Sequence, residues 1–168
     1  MPQSKTTDIS SQWQIARPDL DPAVNSLIGL VYRLSQQAEA EFRALAQAEF
    51  DLAAGDLRIL LALRRSGPMR PTDLFQSLLI TSGAVTKQVQ RLEERALVAR
   101  RPDPSHRGGS ILALTDEGVR IADRAIEEIA RSFKLARAVA TLPRADLEAG
   151  VAFLQALHER IDTGGTET

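Results

Sequence analysis

Residues 98–114 are the only stretch of the chain whose apolar residues suit a β-hairpin rather than a helix. Val98-Ala99-Arg100-Arg101 and Ser110-Ile111-Leu112-Ala113-Leu114 read as two short strands. Between them, Pro102-Asp103-Pro104-Ser105-His106-Arg107-Gly108-Gly109 is dense in turn residues. Around this ribbon the sequence is helical, so the expected fold class is mainly α with a small β-ribbon.

The helices follow from apolar spacing and end signals. Asp21-Pro22 opens a long one, with a capping carboxylate followed by proline at the first helical position. Val24, Leu27, Ile28, Val31, Leu34, Ala38, Phe42 and Leu45 give it one buried face, and it should end near Phe50. Gly55-Asp56 opens a second helix, apolar nearly all round through Leu57, Ile59, Leu60, Leu61 and Leu63 and therefore central; Ser66-Gly67-Pro68 stops it. Arg70-Pro71-Thr72-Asp73-Leu74-Phe75 comes next, a short helix up to Leu79, then a turn at Ile80-Thr81-Ser82-Gly83. The following helix spans about Ser82 to Arg95, with Val85, Val89, Leu92 and Ala96 as its buried stripe. Past the ribbon, Thr115-Asp116-Glu117 caps a long helix through Val119, Ala122, Ile126, Ile129 and Phe133. Pro143 breaks the pattern. A last helix, Arg144 to Ile161, places Leu147, Val151, Leu154, Leu157 and Ile161 on one face. Residues 1–19 are polar around Trp13 and are expected to be mostly mobile, with at most a short helix near that residue.

Composition excludes several chemistries. The chain has 168 residues, enough for one ordinary domain, and no cysteine. Disulfides, thiolate zinc sites, iron–sulfur clusters and cysteine nucleophiles are therefore ruled out. Its two histidines, His106 and His158, are far apart. Asp103, Ser105 and His106 share one loop, whereas a catalytic triad needs convergence in a pocket. No glycine-rich phosphate loop is present. The expectation is a non-enzyme without catalytic residues, metal or cofactor. Neither a long apolar run nor a secretory pattern is visible, so a cytoplasmic protein without a membrane partner is expected.

The net charge is −1, but residues 82–109 hold six cations, Lys87, Arg91, Arg95, Arg100, Arg101 and Arg107, against Glu93, Glu94 and Asp103. That local excess coincides with the order short helix, turn, helix, two-stranded ribbon over residues 70–115, which describes a winged helix-turn-helix. The second helix is small at its start, with Ser82, Gly83 and Ala84, so it can sit deep in a major groove. Thr86 and Gln90 can hydrogen-bond base edges, glutamine pairing well with adenine. Lys87 and Arg91 can reach phosphate or guanine. Arg107 projects from the loop toward a minor groove, Gly108-Gly109 allows its tight turn, and His106 reads as a phosphate contact or a solvated side chain. Glu93 and Glu94 read as surface partners of Arg91 or Arg95. The competing reading is a solvated amphipathic helix with an ordinary hairpin, the basis of a helical protein-interaction module that does not bind DNA.

Pro71-Thr72-Asp73-Leu74, Thr81 through Thr86, Arg91-Leu92-Glu93, Leu97-Val98, Arg101-Pro102-Asp103-Pro104 and Leu114-Thr115-Asp116-Glu117-Gly118 together resemble the MarR family of transcriptional regulators. The resemblance spans residues 20–161 in helix order, with its motif core in 70–118. It implies a homodimer whose first and last two helices interlock. With the residue pattern at both ends, the chain is expected to divide into an N-terminal extension with room for a short helix (1–19), a dimerisation helix (20–50), a winged helix-turn-helix (51–115), C-terminal dimerisation helices (116–162) and a disordered tail (163–168). The resemblance further implies double-stranded DNA as partner and a repressor released from a pseudo-palindromic operator by a small anionic or aromatic effector. In the wing, members often carry Asp-Arg-Arg where this chain has His106-Arg107-Gly108; the middle Arg107 is kept.

A narrower resemblance, through Trp13, Arg17-Pro18-Asp19-Leu20-Asp21 and Leu63-Arg64-Arg65-Ser66-Gly67-Pro68, is to the urate-responsive subgroup. That subgroup places a tryptophan, an aspartate and two arginines around an anionic purine-like ligand. Trp13 and Arg100 match. Arg58 stands at the aspartate position and Gln88 at the ligand arginine, an exchange that suits a carboxylate or phenolate better than urate. Trp13 reads equally as packing for an extra helix, and Arg58 as a salt bridge to a nearby carboxylate.

Overall fold

A computed structural model describes the backbone of residues 5–78, 82–106 and 108–164, and the side chains of 11–78, 86–106 and 108–163. The first element is a 12-residue helix, α1 (Lys5–Ala16), which contains Trp13, where the sequence allowed for a short helix. It packs on α2 (Pro22–Phe50). Arg17 and Asp19 pair in the intervening turn. The carboxylate of Asp21 accepts the Ala23 N–H at 2.8 Å, so the cap works as its sequence implies. The helix ends where Asp51 adopts a left-handed conformation, φ 49°, and the Leu52 N–H closes on the Ala46 carbonyl.

Helix α3 (Ala54–Ser66) is central, with Leu57, Ile59 and Leu60 fully buried. Gly67, at φ 77°, stops it. Helices α4 (Pro71–Leu78) and α5 (Ser82–Glu94) pack on it through Leu74, Val89 and Leu92. The turn at Ile80-Thr81 and the side chain of Val85 lie outside the described residues. Ala96 does not continue the buried stripe: it is exposed at φ 54°. There the Leu97 N–H returns to the Leu92 carbonyl and closes the helix end, so the apolar spacing at 96 belongs to the turn.

Strands β1 (Val98–Pro102) and β2 (Ser110–Leu114) pair antiparallel, Val98 opposite Leu114 and Pro102 opposite Ser110. Met69 exchanges both backbone hydrogen bonds with Leu112, tying the ribbon to the start of α4. Helix α6 (Asp116–Ser132) is capped by the Thr115 hydroxyl, which accepts the Gly118 N–H. It ends one residue before Phe133. That side chain is only 8% exposed, and its extended backbone breaks the helix. A short helix unforeseen in the sequence follows, α7 (Lys134–Val139), whose first N–H is accepted by the Glu41 carboxylate at 2.8 Å. Helix α8 (Arg144–Gly164) extends into what was expected to be a disordered tail; residues 165–168 lie outside the described set.

The core gathers α3, the C-terminal end of α2, α5, the ribbon and one side of α6. The apolar stripe of α2 is buried only near its end, at Ala46 and Phe50; Val24, Ile28, Val31 and Leu34 are exposed. Ile126 on α6 and Val151, Leu154 and Ile161 on α8 are likewise exposed. These faces have the spacing of buried surfaces and are left exposed by the described residues.

Candidate nucleic-acid interface

Helix α5 turns Val89 and Leu92 into the core, which leaves Thr86, Lys87 and Gln90 exposed on the outward side. Lys87 forms no ion pair among the described residues. The Gln90 amide donates to Glu94 at 3.1 Å. Ser82, Gly83 and Ala84 open the helix, but their side chains, like the whole of Arg107, lie outside the described set. His106 is exposed at the tip of the wing.

Arg91 behaves differently from its expected role at phosphate or guanine. Its Nε and Nη2 take both carboxylate oxygens of Asp56 on α3, at 3.0 and 2.6 Å. Asp56 is 4% exposed, and a carboxylate that deep needs charged donors. Glu94 adds an electrostatic pull on Arg91, as expected of it, while Glu93 turns elsewhere. Glu93 pairs with Arg100 on β1 at 2.9 Å, Glu94 accepts from Gln90, and Arg95 donates to backbone carbonyls of Phe50 and Asp51. Much of the positive charge in this stretch therefore fixes α5 to the body. Arg101, exposed on β1 and without an ion pair among the described residues, is a cation the sequence reading left unassigned.

The base of the wing is held by Asp103, 8% exposed. It accepts Nε of Arg70 at 2.6 Å and both the backbone N–H and the hydroxyl of Ser105 at 2.8 and 2.6 Å. Arg70 also donates to the Ser105 hydroxyl. Gly108, at φ 83°, and Gly109 turn the tip back toward β2. These donors hold the Asp103 carboxyl at about 2, well below its ordinary 3.8. A depressed carboxyl stabilises the folded wing fully above about pH 4, and the contribution is lost as pH falls toward 2. Asp103→Asn should therefore lower the thermal midpoint at pH 7 and bring the two proteins' midpoints together toward pH 2. A constant difference across that range would show that Asp103 acts by packing alone.

The four residues proposed to meet an effector are differently occupied. Arg58 pairs with Glu39 and lies over the Phe42 ring at 5.0 Å, the salt bridge anticipated as its alternative. Arg100 is held by Glu93. Gln88 lies against Gly55, where an added Cβ would stand 2.1 Å from its amide nitrogen, and its buried Oε1 has no hydrogen-bond partner among the described residues. Trp13 is half exposed on α1.

Two packed helices followed by an antiparallel ribbon on an α-helical body make this a winged helix-turn-helix. The model of the MarR family matches residues 50–107. The HTH-type transcriptional regulator PecS of Dickeya dadantii (strain 3937) is 33% identical over 129 residues, 74% of this chain and 76% of the relative. The HTH-type transcriptional repressor NicR of Pseudomonas putida is 30% identical over 161 residues, 95% of each chain. In fold, the chain matches a MarR family transcriptional regulator from Listeria monocytogenes complexed with 26mer DNA. That match has a TM-score of 0.69 at 16% identity, over 80% of this chain and 87% of that one. The chain belongs to the MarR family of transcriptional regulators.

Proposed function

We propose that the chain acts as a homodimeric DNA-binding repressor, released from a pseudo-palindromic operator by a small anionic or aromatic effector. The observation that carries this reading is the outward side of α5, where Thr86, Lys87 and Gln90 stand on a helix fastened to the body by Arg91 and Arg95. Base contacts then come from Ser82, Gly83, Ala84, Thr86 and Gln90 in the major groove. Lys87, His106 and Arg101 meet phosphates, and Arg107 enters the minor groove. Arg91 orients the helix rather than touching DNA.

The dimer is formed by a second copy covering the exposed apolar faces of α2 and α8, two long helices at opposite ends of the chain. Its two-fold symmetry sets the two α5 helices to read half-sites about 34 Å apart. Repression is supported by the relative NicR, whose name is that of a repressor. Release follows if an effector binds better to a form with the wrong separation of the two helices, and extends no further than that difference in affinity. Trp13, Arg58, Gln88 and Arg100 remain the candidate effector contacts, Gln88 through its buried Oε1, unpartnered among the described residues.

The internal use of Arg91, Arg95 and Arg100 also favours a second reading, a helical platform for another protein. Salt dependence separates the two. In fluorescence anisotropy, Lys87→Ala and Arg107→Ala should each weaken DNA binding across sequences and reduce the slope of log affinity against log salt by about one for each cation removed. Unchanged slopes in both variants would contradict the assignment of α5 and the wing to DNA.

A further inference from the structure

The long helix α2 has no basic residue in its last turn. Its final carbonyls lack intrahelical donors and carry the negative end of the helix dipole. Arg95 serves them from another element. Its Nη1 donates to the Asp51 carbonyl at 2.5 Å and its Nη2 to the Phe50 carbonyl at 3.3 Å. Arg95 directly follows the last residue of α5, just before the left-handed turn at Ala96; Asp51 is the left-handed turn that ends α2. One guanidinium thus bridges the C-terminal ends of α2 and α5. Arg124 and Arg58 also reach α2, at Glu49 and Glu39, but from α6 and α3; the two ion pairs made by α5 itself lie within the winged domain, Arg91 to Asp56 on α3 and Glu93 to Arg100. Of Arg91, Glu93 and Arg95, Arg95 alone reaches α2.

We infer that Arg95 is a positioning residue that passes the placement of the end of α2 to the recognition helix. Two donors on two successive carbonyls set both distance and direction. An ammonium in their place is a point charge that sets far less direction. Phe50 and Leu92 share the hydrophobic core, so the two helices stay associated without Arg95 and lose their mutual angle first. The inference takes its biological meaning from the DNA-binding reading, but its first test needs no DNA.

That test uses the absence of cysteine, which lets two introduced ones carry spin labels cleanly. Ala48→Cys on the exposed side of α2 and Lys87→Cys on α5 are labelled in the full chain, which is then diluted into unlabelled protein so that intrachain distances dominate. Pulsed dipolar spectroscopy should give a narrow distribution with Arg95 present, a clearly broader one in Arg95→Met, and partial narrowing in Arg95→Lys. Should Arg95→Met fail to fold, Arg95→Gln, which keeps an amide donor, should give an intermediate width. A second test uses a duplex selected in vitro by the wild-type protein and a version with one base pair inserted between its half-sites. Arg95→Met should lose about tenfold in affinity on the first, the worth of a charged hydrogen bond, and less on the second. Unchanged distance widths, or equal losses on the two duplexes together with a lowered melting temperature, would make Arg95 a helix cap only and overturn the inference. A broadened distribution in a protein that selects no duplex would uphold the positioning role and defeat the DNA-binding reading instead.

Discussion

Leu154→Asp is expected to convert the proposed homodimer into monomers and to lower operator affinity with it. Leu154 is 52% exposed in the single chain, and Val151 and Ile161 on the same helix are comparably open. None of the α8 residues whose exposure is described is buried, although the helix carries apolar residues at the spacing of an internal face. In the proposed dimer, a second copy laid on α8 and α2 would give that face its cover. An aspartate at the centre of such an interface is an unpaired charge withdrawn from water, a change of about 3–5 kcal/mol. Two-fold symmetry applies it twice. Sedimentation equilibrium should show the mass of one chain for the variant and of two for the wild type. Operator affinity should fall with it, because two half-sites are no longer held by one particle. A variant that sediments as a dimer would place the subunit contact elsewhere.

The second large effect is on folding. Glycine to alanine within a helix ordinarily stabilises by about 0.5–1 kcal/mol. At Gly118 the sign should reverse. A Cβ built there lies 2.1 Å from the Leu97 carbonyl oxygen, 3.1 Å from its carbon and 3.2 Å from Leu114 Cδ2. The first two are backbone atoms at a junction with little room to yield. The Leu97 carbonyl accepts the Thr115 N–H at 3.1 Å, and the Thr115 hydroxyl donates to the Ala96 carbonyl at 2.8 Å. The end of α5, the start of β1 and the first turn of α6 therefore meet at Gly118. Gly118→Ala should cost about 3 kcal/mol or more and lower the thermal midpoint accordingly. An unchanged midpoint would mean that this junction is looser than its geometry.

Much of the architecture could be read from local signals. Asp21-Pro22, Gly67 and the Pro102–Gly109 turn each act within a few residues of themselves, and the structure places helix and strand ends there. What escaped is decided at long range. Phe133 keeps the apolar spacing of α6, and only its burial against the body breaks the helix and releases α7. Ala96 also fits the stripe of α5 in one dimension, but its conformation is set by the turn into β1. The partners of the arginines lie far along the chain. Asp56 precedes Arg91 by 35 residues and Arg70 precedes Asp103 by 33. No spacing rule connects such pairs, so a cluster of cations resembled a DNA face when part of it is scaffold. The apolar stripes of α2 and α8 were legible as faces suited to burial, but not what would bury them, because the described residues leave much of both exposed.

The measurement that tests the central claim most directly is fluorescence anisotropy of the protein with the intergenic DNA upstream of its own coding sequence, against an unrelated duplex of equal length, at two salt concentrations. We expect preference for the upstream duplex in the nanomolar to tens-of-nanomolar range, about 10⁻⁸ M, with affinity falling steeply as salt rises. Equal, weak binding to both duplexes, followed by failure to enrich any sequence from a random pool, would contradict a DNA-binding regulator and leave the winged helix as a platform for another protein.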